Sequence, residues 1–176
     1  MMMARKLLNG TLFNVCWFAV VMLQHDLWSW VATSVYLAVH VAIFKPGRAE
    51  LMLLALVAAG GFLLDQLMFA AGILVVAAGT APLWLSALWP AFASTLMHAF
   101  AGLREHLWLA ALVGGFGGYG SYRLGASLSD VELGSAGVST AVLLVSWGLL
   151  FPLLLVLAGR LERGAAAGSA DAQSAY

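Results

Sequence analysis

From Leu51 to Gly79 the chain runs for 29 residues in which Asp65 and Gln66 are the only strongly polar side chains. A helix rises about 1.5 Å per residue, so about 20 apolar residues cross a hydrocarbon core of about 30 Å. The run is therefore long enough to span a bilayer, and it is not the only one. Segments of the same kind are Leu7–Leu23, Leu27–Phe44, Leu51–Leu74, Pro82–Ala101, Leu107–Tyr122 and Ser139–Gly159. Between them lie the polar or glycine-bearing breaks QHD, KPGRAE, AAGTA, GLREH and RLGASLSDVELGSAG.

Only 9% of the 176 residues are charged and 63% are hydrophobic, with a mean hydropathy of +0.97. A soluble domain carries about 25% charged residues. So few charges cannot cover a surface facing water, but they suffice for one facing lipid, where apolar side chains point outward as well as inward. The expected fold class is all-α: a polytopic transmembrane bundle of six helices occupying residues 1–159, followed by a disordered tail at 160–176. The formal net charge is zero, so no basic field exists to attract nucleic acid. Cys16 is the only cysteine, which excludes an internal disulfide and every CxxC pattern.

Basic residues set the expected orientation. With six spans, Arg5, Lys6, Lys45, Arg48, Arg104, Arg160 and Arg163 fall on one side and Arg123 alone on the other. Splitting the Leu51–Gly79 run into two spans spoils this to five against three. The positive-inside rule thus favours six spans with both termini in the cytoplasm. Arg5 and Lys6 precede an apolar stretch without an A-x-A site, which reads as an uncleaved first helix. Trp28, Trp30, Trp84 and Trp108 fall near span ends, where amphipathic rings form an interfacial belt.

Polar groups inside the spans are the candidate sites, because a charged side chain at a helix centre costs about 2.5–3.5 kcal/mol to insert. Asp65 and Gln66 sit in the third span. Helical spacing places Ala58, Gly61, Phe62, Met68, Phe69 and Gly72 near the Asp65 face, a glycine-bearing side suited to close helix approach. Arg123 is the one cation at similar depth and the expected partner of Asp65, with Tyr122 or a backbone carbonyl as alternatives. Asp65 then serves either as a latch between helices or in handling a substrate or proton. Toward the opposite end, His40 and His98 lie four and three residues from the end of a span, at a depth similar to Asn9 and Asn14. These four converge if the first, second and fourth spans are neighbours. Two histidines fall short of the three protein ligands of a catalytic zinc, and Glu105 and His106 complete a set only by reaching back. No metal and no cofactor is therefore expected. The sequence lacks GxSxG, HExxH and GxxxxGK[ST]. Gly114 and Gly118 have GxxxG spacing, an expected close-packing and homodimer face. The fifth span, with five glycines between Gly114 and Gly120, is the one most open to being broken or re-entrant.

Four stretches carry a family likeness: LFNVCWFAVV, LLDQLMFAAGIL, PLWLSALWPAFASTLMHAF and GGYGSYRLGA. They resemble a family of small, uncharacterised, polytopic bacterial inner-membrane proteins, over most of the chain short of its tail. The family pattern has Asn before the histidine where this chain has Met97, often Gln at Asn14, and often proline at Gly118. The resemblance implies an inner-membrane location and a context of membrane lipid metabolism. Three readings of function stand: a non-catalytic component binding a membrane lipid or a partner, a small transporter or permease subunit using Asp65, and an intramembrane lipid-modifying enzyme using His98 and His40.

Overall fold

The computed structural model describes residues 2–174, with side chains from residue 3 to 168. The first three spans form as long helices: α1 (Met2–Leu23), α2 (Asp26–Phe44) and α3 (Arg48–Ala70). Next come a short strand, β1 (Leu74–Val76), two short helices, α4 (Leu83–Ser86) and α5 (Leu88–Leu96), and a 3₁₀ turn at Ala101–Glu105. The glycine-rich helix α6 (Leu107–Leu128), strand β2 (Val131–Leu133) and the long α7 (Ala136–Ser174) complete the chain. Four helices, α1, α2, α3 and α7, are long and apolar enough to cross a membrane. Large apolar side chains cover the outside of the bundle, among them Phe116 (68% exposed) and Leu153 (63%), while Val20, Leu53, Leu96, Leu143 and Leu155 are fully buried. An apolar exterior around an apolar core is what lipid solvation permits and water does not.

Three boundaries differ from the sequence reading, each for a local reason. The third span ends at Ala70 rather than Leu74, because Gly72 adopts φ +67° and closes a Schellman cap. The Ile73 N–H donates to the Met68 carbonyl (2.9 Å) and the Gly72 N–H to that of Phe69 (3.0 Å). The apolar residues that follow, among them the β-branched Val75 and Val76, then pair in an antiparallel ribbon, Leu74 opposite Leu133 and Val76 opposite Val131. The fourth span is not one continuous helix. Pro90 has no N–H for the Ser86 carbonyl and its ring crowds that group, so the helix is interrupted at Ala87. Near its other end the Ser94 and Thr95 hydroxyls donate to the carbonyls three residues back (2.8 and 2.6 Å), and the chain leaves the α conformation after Leu96. The stretch expected to be disordered from 160 continues as α7 to Ser174, in keeping with its alanine-rich, proline-free composition. Residues 175–176 of that stretch lie outside the described residues. The glycine-rich fifth span is an unbroken helix.

The ribbon caps the end of the bundle away from the N-terminus. Gly134 is needed there: its N–H donates to Ile73 (3.0 Å), and a β-carbon at 134 would collide with the Gly72 carbonyl oxygen. Gln24 joins the same end, its amide donating to Leu128 (3.0 Å) and accepting from the Asp130 N–H (2.9 Å). At the N-terminal end Arg5 donates to the Ile43 carbonyl at the close of α2, and Arg104 pairs with Glu162 of α7. The start of α1 and the Glu162 turn of α7 therefore share one end of the bundle.

Candidate functional site

Asp65 is fully buried (1% exposed), and it does not meet Arg123. Its Oδ2 accepts from the Trp89 indole N–H (2.7 Å) and its Oδ1 from the Tyr122 hydroxyl (3.0 Å). The sequence places the acid one turn beyond Gly61, and that glycine explains the geometry. A β-carbon at 61 would overlap the Trp89 ring, so the missing side chain is the slot through which the indole reaches Asp65. Gly72, expected on the same face, instead shapes the turn. Arg123 is exposed, because on α6 it follows Tyr122 by one residue and points about 100° away. Gln66 is half-buried, and its side chain makes no hydrogen bond among the described residues. Asp65 thus ties α3 to α5 and α6 through two neutral donors.

The Asp65 latch sits beside a cavity of about 340 Å³. Its walls come from α1 (Phe13, Asn14, Trp17, Phe18), from α4 and α5 (Trp84, Trp89, Phe92), from the glycine face of α6, and from Trp147 and Phe151 of α7. Trp89 and Trp147 stack in parallel at 5.5 Å, and Phe92 stands edge-on to Trp147 at 5.3 Å. Nothing approaches the β-carbon positions of Gly117 and Gly120. Lining residues at the rim, including Phe18 (48% exposed), Val113 and Leu124, are exposed on the bundle's flank, so the cavity opens sideways between α1 and α6. Trp84, read as part of an interfacial belt, is core, and its N–H donates to Asp26 Oδ1 (2.8 Å). Asp26 is therefore an anchor of α4, bonded to the Trp84 backbone N–H. Trp28, Trp30 and Trp108 are exposed, as a belt requires.

Gly114 and Gly118 do pack closely, but inside the chain. The β-carbon positions of both are occupied by α7, Phe151 against Gly114 and Trp147 against Gly118. The face expected to serve a homodimer is covered by α7, the natural consequence of a tight α6–α7 connection through β2.

The second polar cluster lies at the N-terminal end. His40 and His98 converge as expected, yet onto a residue the sequence reading passed over. Glu50 Oε1 is 2.8 Å from His40 Nε2 and 2.8 Å from His98 Nε2. His40 and Glu50 are buried, whereas the His98 side chain keeps 21% of its surface exposed. Asn9 joins them: its Nδ2 lies 3.5 Å from His40 Nδ1 and donates to Ser94 O (3.3 Å), and its Oδ1 accepts from the Ala99 N–H (3.3 Å). Phe44 stacks on His40 (4.9 Å, 18°) and leans on His98 (4.7 Å). Asn14 does not take part; its amide turns back to the Gly10 carbonyl (2.8 Å), and the residue lines the cavity. Glu105 and His106 remain exposed and outside the cluster.

Glu50 was hidden because it stands in the KPGRAE break, where charges are ordinarily solvated. A signal was available: it is the third helical residue after the Gly47 cap, and acids belong in a first turn. The three-residue connection from Phe44 to Arg48 then folds this turn beside His40.

The family described as a protein of unknown function (DUF2878) matches residues 6–153. The chain belongs to that family. No curated protein and no solved structure matches it. The family membership agrees with the likeness carried by the four sequence stretches, and it assigns no activity.

Proposed function

We propose that this protein is a non-catalytic membrane component that holds the apolar chain of a membrane lipid in its aromatic cavity. The observation that carries this reading is the cavity itself. It is of ligand-binding size, lies among helices able to cross a membrane, and opens sideways, where acyl chains would lie. A chain moving from bilayer to cavity gains no hydrophobic free energy, since lipid tails are as apolar as leucine. Binding then depends on the shape of the aromatic walls, with Asn14 and Ser121 offering hydrogen bonds near the mouth. The positive-inside balance supports a cytoplasmic membrane with both termini inside, and the family likeness supports a role in lipid metabolism. The contacts of Asp65 favour a latch over a transport path, because both oxygens already accept from neutral donors.

The test is photo-crosslinking with a diazirine-bearing phospholipid, followed by peptide mapping. Labelling is expected on α1 and α6 at the cavity, and Gly117→Leu, which fills open space, should remove most of it while leaving thermal stability unchanged. Labelling spread evenly over the lipid-facing surface, insensitive to Gly117→Leu, overturns the reading.

A further inference from the structure

We propose that His40, Glu50 and His98 form a binding site for one zinc ion. Three ligand atoms, two imidazole nitrogens and one carboxylate oxygen, lie within 4.8 Å of one another. They come from three elements, α2, the first turn of α3 and the turn that follows α5, so their convergence is a product of the fold rather than of one helix. Zinc bonds of about 2.0–2.2 Å place tetrahedral ligands about 3.4 Å apart. The two N···O separations of 2.8 Å therefore need to open by about 0.6 Å, and the His40–His98 separation, within 4.8 Å, to close by at most about 1.4 Å. His98 can supply that movement, because it stands on a turn and is partly exposed, and its exposed side also provides a route of entry.

Charge balance points the same way. Glu50 is a buried carboxylate whose only ion-pair partners among the described residues are the two imidazoles. A buried carboxylate is costly unless a cation is at hand. Arg5, which reaches the ring of Phe44 (5.1 Å), donates to Ile43 O rather than to Glu50. A divalent ion between the three ligands supplies the missing charge where no lysine or arginine does.

The donor set narrows the ion to a first-row transition metal or zinc, and zinc is the one proposed. Imidazole nitrogens exclude magnesium and calcium and suit zinc, and two histidines with one glutamate leave a fourth position open to water. Metal on His40 Nε2 puts that ring's proton on Nδ1, so the Asn9 amide must turn its oxygen toward it. The three contacts broken by this turn are all 3.3–3.5 Å long, so they are weak.

The test uses the full chain, purified in detergent with a tag free of histidine, stripped of metal and titrated with Co²⁺ as a spectroscopic probe. One equivalent should bind, with visible d–d bands that Zn²⁺ abolishes by displacement. Glu50→Gln and His98→Ala should each weaken binding at least about tenfold, while the His25→Ala/His106→Ala pair leaves it unchanged. Gel filtration and helicity confirm that the variants are folded, and the wild-type titration depends on no variant at all. Absence of saturable Co²⁺ binding by the wild type overturns the proposal. So does binding unaffected by Glu50→Gln and His98→Ala, or binding lost with His25 and His106.

Discussion

Asp65 has two acceptor oxygens, and the fold fills both with neutral donors from different helices. This makes the trio Asp65, Trp89 and Tyr122 a unit whose members depend on one another. Trp89→Phe keeps an aromatic side chain but leaves Oδ2 without its donor, and is expected to cost about 1–3 kcal/mol of stability. Measured by chemical unfolding in bicelles, it should couple to Asp65→Asn in a double-mutant cycle, since residues in one hydrogen-bond network are non-additive. Arg123→Ala, by contrast, should stay within about 0.5 kcal/mol of wild type, as an exposed residue without these contacts. A large loss at Arg123 would restore the pairing the sequence suggested. That Asp65 needed partners was legible in the sequence, because a lone carboxylate in a 29-residue apolar run has no alternative. Which partners it takes was not legible. In the sequence nothing sets Trp89 apart from the other aromatic residues, and its N–H matters only because Gly61 opens a slot for it.

At the scale of elements, glycine does two different jobs on α6. Gly118 faces the Trp147 ring, so Gly118→Ala should over-pack the α6–α7 contact and cost about 1–3 kcal/mol. Gly117 faces open space, so Gly117→Ala should be neutral or stabilising by up to about 1 kcal/mol. Thermal unfolding of the two variants side by side measures the contrast, and equal effects would mean that α7 does not lie on the Gly114–Gly118 face. GxxxG spacing announces a close approach without naming the approaching helix. Short connections decide that here: α6 reaches α7 through three residues of β2 and the turn around it. The broken fourth span was equally readable in retrospect, since Pro90 removes a helical donor whatever the surroundings. The ribbon was less so. Three-residue strands carry almost no period, and Leu74–Val76 continues the apolar composition of the helix before it.

Across the whole molecule, two ends with different chemistry face each other. The N-terminal end carries Asn9, His40, Glu50, His98 and the Arg104–Glu162 pair, and the far end carries the ribbon, Gln24 and Asp130. Single cysteines at the exposed positions Lys45 and Asp130 should be labelled from opposite sides of the membrane, with Lys45→Cys reached from the cytoplasm. Labelling of both from one side would refute the odd number of passages, three in the six-span reading, that separates the two positions. Buried Cys16 should stay unreactive in the same experiment. The sequence by itself determined that the chain folds as a bundle of apolar helices fit for a membrane, roughly where the long ones run, and that its few buried polar groups must be satisfied. Those follow from the length and composition of the apolar runs, which depend on the solvent alone. Only the tertiary structure decided that Asp65 meets Trp89 and Tyr122, that Glu50 joins His40 and His98, and that an aromatic cavity opens between α1 and α6. Each of these depends on which helix faces which. In an environment where every outward surface is apolar, the periodicity that would reveal the inward face is absent from the sequence.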